Sequence, residues 1–221
     1  MELLYMDKHV IVCIKPVNTL SEGDGENCLP VMLSRHLEGL GESNLDVFPV
    51  HRLDKETVGV TVYARTSASA AALSRSIAEG NMKKTYLAVV HGAPKQPDAT
   101  LDDLLFYDRT RGKSFIVDRM RKGVKTASLT YETLGSAEGL SLLKVTLHTG
   151  RTHQIRAQLS HAGLLLAGDR RYGAPKSEAA TVALLARSLS FPHPVGAERL
   201  CFSSPIPSAF PWLLFADVSD S

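Results

Sequence analysis

Residues 51–60 read HRLDKETVGV and residues 150–156 read GRTHQIR. Each sets ionisable side chains directly against a segment patterned for burial. In the first, Asp54 stands at the lip of an apolar run, with Arg52, Lys55 and Glu56 beside it. In the second, Arg156 follows Ile155, the core-facing residue of a helical pattern. A cation at the edge of a buried face normally meets an anion, and Asp54 is the candidate partner. The two stretches are either a salt bridge pinning two elements together or the start of a site that works with side chains alone.

Other chemistries lack their residues. The chain has no G-x-x-x-x-G-K-[ST], no G-x-G-x-x-G and no G-x-S-x-G, so neither a nucleotide cradle nor a hydrolase serine elbow is expected. His148, His153 and His161 cluster without Cys or carboxylate partners at ligand spacing and read as structural or surface histidines. Cys13, Cys28 and Cys201 are far apart with no C-x-x-C, which argues for reduced thiols and against a zinc site or disulfide framework. No metal and no cofactor is expected. A two-carboxylate glycosidase would need a second acid near Asp54. Glu56 is the one close candidate in sequence, and strand alternation would place it on the same side.

Around these stretches the chain must supply a scaffold. At 221 residues, 44% hydrophobic and 22% charged, it is ordinary for one globular domain, or one domain with two lobes. No apolar run approaches a membrane span, and MELLYMDKHV lacks a signal pattern, so a cytoplasmic location is expected; a monomer is expected separately. Strand patterns occur at 9–16, 59–66, 85–92, 127–135 and 140–150, the last two joined by turn residues around Gly139. Helical patterns occur at 29–40, with Leu33, Leu37 and Leu40 on one face, and at 67–80, with Ser67 as cap and Gly80 as stop. A third covers 152–163, with Ile155, Leu159 and Ala162 on one face. Residues 182–191 fit strand or helix. Consecutive strands with few helices between them predict an α+β fold with a mixed sheet.

Charge is localised. The chain carries a net +2, yet DRTRGKSFIVDRMRKGVK (108–125) holds seven cations against two carboxylates, a net +5, leaving −3 elsewhere. A basic arm on a near-neutral protein suits a polyanion; a solvated face is the plain alternative.

HRLDKETVGV resembles the H-R-L-D-x-x-T-S-G signature of the RluA-type pseudouridine synthases. IVCIKP resembles that family's strand ending in Lys-Pro, and KKTYLAVVHG its K-x-Y-x-A-x-V-x-G motif. GRTHQIRAQLSHAGLLLAGDRRYG resembles its third motif almost throughout, and ARSLSFPHP and SSPIPSAF its closing segments. The motifs cover nearly the whole chain in order. Two departures stand out: VNTLSEGDG replaces a short Gly turn after Lys-Pro, and Val58 stands where Ser is common. The histidine opening the second motif, and the absence of a preceding S4-like RNA-binding module, favour the RluA type over the RsuA type.

The resemblance implies a single catalytic domain over 1–221, built on a largely antiparallel sheet with flanking helices and a central catalytic cleft. It makes Asp54 the catalytic carboxylate acting on a uridine taken out of its stack. Arg156 would hold Asp54 ionised, and Tyr86 would lie against the base. Arg52 would fill the gap the base leaves. Lys83, Lys84, Arg109, Arg119, Arg121 and Lys122 would hold phosphates of a ribosomal or transfer RNA. Arg151 and His153 are either phosphate contacts or helix caps. A non-catalytic RNA-binding or ribosome-assembly factor on the same fold is the rival; binding alone would not need Asp54, Tyr86 and Arg156.

Overall fold

Val10 and Val12 point to one face of their strand and Ile11 and Cys13 to the other, and all four are buried. That two-sided pattern sets the architecture. In the computed structural model, which describes residues 1–196 and 198–218, the elements are β1 (Glu2–Met6), β2 (Val10–Lys15), α1 (Leu29–Gly39), β3 (Phe48–Pro49), β4 (Val58–Ala64), α2 (Ser67–Ala78) and β5 (Lys83–His91). They continue with β6 (Asp98–Asp108), β7 (Lys113–Ile116), β8 (Val124–Ala137), β9 (Leu140–Leu147), α3 (Gln154–His161), β10 (Leu184–Pro192) and β11 (Arg199–Ser203). Two compact units contain them: Met1–Lys84 with Leu185–Pro205, and Thr85–Leu184 with the segment from Ile206.

In the first unit the strand order is β1-β2-β4-β10, with β3 on β4 and β11 on β10. Every pair is antiparallel except β4–β10. Helix α1 covers one face through Leu29, Leu33 and Leu37, which meet Ile11, Cys13 and Tyr63. Helix α2 covers the other through Leu73, against Val10, Val12, Val60 and Val62. Leu40, expected on the buried face of α1, lies past the helix end and is 56% exposed. The cap of α2 is Thr66, one residue before the expected Ser67; its hydroxyl accepts the Ser69 N–H at 3.1 Å. Gly59 sits at φ +131°, and a Cβ there would lie 2.3 Å from the Ala186 carbonyl oxygen. Only glycine permits β4 and β10 to pair at this point.

The second unit orders its strands β5-β9-β8-β6-β7, all antiparallel. Glu138 and Gly139, at φ +50° and +74°, make the two-residue turn that joins β8 to β9, as the sequence predicts. The segment 182–191, open to strand or helix in sequence, holds the strand β10 from Leu184 onward. The expected third helix is shorter, because His153 takes a left-handed conformation (φ +52°) and α3 begins only at Gln154. Ala162, expected on its buried face, falls after its end and is exposed. The basic segment is not an arm: its first half turns from β6 into β7, and its second half leads into β8. The mixed, mostly antiparallel sheet with few helices is the predicted class. Among the described residues no helix is long and apolar enough to cross a membrane.

Candidate active site

In the first unit, Asp54 begins a turn closed by the Thr57 N–H, which donates to the Asp54 carbonyl at 3.0 Å. The turn leads directly into β4. Strand alternation therefore does not relate Asp54 to Glu56, and the sequence-based ground for pairing them as two acids falls away. The backbone is held on both sides of Asp54. Before it, the Ser21 hydroxyl accepts the Leu53 N–H at 2.9 Å and donates to the Leu53 carbonyl at 2.9 Å. After it, the Lys15 ammonium donates to the Lys55 carbonyl at 3.1 Å.

Lys15 ends β2 fully buried and also donates to the carbonyls of Pro16 (2.9 Å) and Thr19 (2.8 Å). Burial pulls its pKa down to about 8, and the negative charges of Asp54 and Glu56 oppose that shift. The first motif thus delivers a cation whose field is felt at the Asp54 loop. Sequence reasoning read Lys15 only as a strand end; the signal available was a lysine closing an otherwise apolar strand.

His51 fixes the start of the same loop. Its Nε2 accepts the Val62 N–H at 3.2 Å and lies 3.3 Å from the Thr61 hydroxyl. Burial, reinforced by the Lys84 charge, holds its pKa well below the usual histidine value, so it stays a neutral acceptor. Arg52 points outward, 54% exposed, with Nη1 2.6 Å from Glu22 Oε1. The sequence offered no sign of this partner. Lys83 is exposed; Lys84 is half-buried, and burial lowers its pKa to about 8.

In the second unit, Tyr86 is buried on β5 opposite Val145 of β9. Arg156 lies in the first turn of α3, 2% exposed. Its Nε donates to Asp169 Oδ2 at 2.7 Å and its Nη2 to Asp169 Oδ1 at 2.8 Å, with Asp169 1% exposed. The guanidinium carbon is 5.2 Å from the centre of the Tyr172 ring. Within its own unit, then, the carboxylate that pairs with Arg156 is Asp169, which the sequence reading passed over. Asp169 and Tyr172 both belong to GLLLAGDRRYG, quoted for the third motif, and the need of a buried guanidinium for a buried anion was the usable clue.

The expected phosphate contacts divide. Arg109 and Arg151 line one groove of about 690 Å³, whereas Arg119 and Lys122 do not. Arg121 lies over the Phe106 ring at 5.2 Å. Arg151 is tied by Nε to the Thr126 carbonyl at 3.0 Å, and its own N–H donates to Gln154 Oε1 at 3.0 Å. No side chain caps the start of α3; Gln154 Oε1 instead ties down the strand-to-helix turn, accepting the Arg151 N–H and the Thr149 hydroxyl. Among the described residues no group of three His, Cys, Asp or Glu is placed to hold a metal ion.

A family model described as RNA pseudouridylate synthase matches residues 9–161. The chain belongs to this family. It is a pseudouridine synthase, an isomerase whose substrate is RNA. Among its relatives, the "uncharacterized RNA pseudouridine synthase YhcT" of Bacillus subtilis is 30% identical over 213 residues, 94% of this chain and 69% of that one. The "ribosomal large subunit pseudouridine synthase D" of Xanthomonas campestris is 33% identical over 242 residues, 100% of this chain and 70% of that one. The solved structure of human RNA pseudouridylate synthase domain containing 4 shares the fold of this synthase. Its TM-score is 0.78 at 24% identity, covering 94% of this chain and 89% of that one.

Proposed function

We propose that this synthase converts particular uridines of ribosomal RNA, or failing that transfer RNA, with Asp54 as its catalytic carboxylate. The observation that carries the assignment is the backbone clamp on Asp54, with Ser21 holding Leu53 and Lys15 holding Lys55. A loop fixed at both neighbours of one carboxylate is what positioning for reaction requires. Ribosomal RNA comes first because relatives such as the Xanthomonas protein are named for the large ribosomal subunit.

In the reaction the N1–C1′ bond of uridine breaks, a C5–C1′ bond forms, C5 loses a proton and N1 gains one. Atoms and electrons balance without an oxidant or co-reactant. Asp54 suits the first step as nucleophile at C1′ or as the anion that stabilises a cationic sugar, and a later step as proton acceptor. Tyr86 is assigned to the base and Arg156 to keeping the carboxylate ionised; both assignments rest on motif order. Arg52 is assigned to the space left by the flipped base, for which it exchanges Glu22 for RNA. Uridine carrying tritium at C5 tests the whole reading, since isomerisation must release the label to water. RNA from a strain lacking this chain should release tritium on adding the purified enzyme, and the Asp54→Asn variant should release it at least about 100-fold more slowly.

A further inference from the structure

The groove of about 690 Å³ in the second unit has three cations on its walls: Arg109 at the β6–β7 turn, Lys125 on β8, and Arg151 before α3. Its lining includes one acid, Asp108, and that carboxylate is already engaged. Asp108 Oδ1 accepts the N–H groups of Thr110 (2.9 Å) and Arg111 (3.0 Å), and Oδ2 lies 3.7 Å from Arg111 Nε. Among the described residues no carboxylate pairs with Arg109, Lys125 or Arg151. The same wall carries Tyr107, 37% exposed, its ring at 74° to that of His153 and 6.2 Å away.

Cations without anions predict phosphates, and an exposed aromatic ring among them predicts an unpaired base. A duplex could satisfy the cations but keeps its base faces stacked, leaving Tyr107 unused. The groove volume suits a short length of chain more than a whole helix. We infer that this groove binds a single-stranded stretch of the substrate RNA, with Arg109, Lys125 and Arg151 on consecutive phosphates and Tyr107 stacked on a base. The inference rests on the proposed function only in taking the polyanion to be RNA.

The test uses the whole chain and a fluorescent RNA strand of A and C only, alone or annealed to a complementary DNA strand, so that neither form carries a uridine that can react. Titrations across a salt series give affinity and slope. The Lys125→Ala variant should reduce the slope of log K against log salt by about 0.7 for the single strand, as for one lost phosphate. Tyr107→Leu should leave the slope unchanged, weaken the single strand by about tenfold and leave the duplex alone. Unaltered single-strand affinity in Tyr107→Leu, or equal losses for strand and duplex, would overturn the proposal, as would polyglutamate competing as well as RNA. If the variants behave as expected while the wild-type chain releases no tritium from any uridine RNA, the groove stands and the enzymatic reading alone falls.

Discussion

Ser21 grips Leu53 from both sides, accepting its N–H and donating to its carbonyl, each at 2.9 Å. Both residues are buried, and the Tyr63 hydroxyl in turn donates to the Ser21 carbonyl at 2.8 Å. A loop residue more than thirty positions upstream thereby fixes the peptide that carries Asp54.

Removing that grip strands two buried backbone groups. Ser21→Ala should destabilise the protein by about 2–4 kcal/mol, since each orphaned group costs about 1–3 kcal/mol less what relaxation recovers. It should also lower kcat by about 10- to 100-fold with little change in KM, because the carboxylate is misplaced without losing RNA contacts. Urea unfolding and steady-state tritium release measure the two effects. A stable variant with wild-type kcat would show that the clamp has no part in positioning.

Lys15 predicts a pH signature. Its folded pKa, lowered to about 8 from 10.5, means the folded state sheds a proton that the unfolded chain still holds. Below about pH 8 the cost of burying the charge is fully present, and it is relieved as pH rises from about 8 to 10.5. Wild type should therefore gain stability relative to Lys15→Met across that window. Cys13 and Tyr63, whose thiol and phenol burial pushes upward, act in the opposite sense at high pH but cancel in the comparison. Unfolding midpoints of the two proteins at a series of pH values give the difference, and a flat one would contradict the assignment.

The Arg156–Asp169 pair separates architecture from chemistry. Asp169→Asn leaves a buried guanidinium without its bidentate anion and should cost about 3–5 kcal/mol. The double variant Arg156→Met, Asp169→Leu removes both charges and should regain most of that stability. Turnover should not return with it, because the proposed service of Arg156 to Asp54 is gone. A double variant as active as wild type would reduce Arg156 to a structural residue.

What the sequence made legible followed from simple periodicities. Helix α1 and strands β2 and β4 show their buried faces as runs of Val, Ile and Leu, and the turn at Gly139 announces itself by position. β6 and β7 did not, because the adjacent acids Asp102 and Asp103 interrupt the apolar alternation of DATLDDLLFYD, while β7 lies within a run of cations. Within the candidate site, Asp54 stood out as a carboxylate before a strand. Asp169 did not, since between Gly168 and two arginines it reads as a surface turn, and only folding shows it buried. Lys15 was hidden for the related reason that a terminal lysine usually turns its ammonium to water. Here three backbone carbonyls replace that water.

The role of Asp54 is tested most directly by Asp54→Asn, which swaps a charged oxygen for an amide of nearly the same shape. Tritium release from RNA labelled at uridine C5 should fall by at least about 100-fold. The unfolding midpoint and the affinity for RNA without the target uridine should stay near wild type. An Asp54→Asn enzyme that folds, binds and still releases tritium at the wild-type rate would contradict the account.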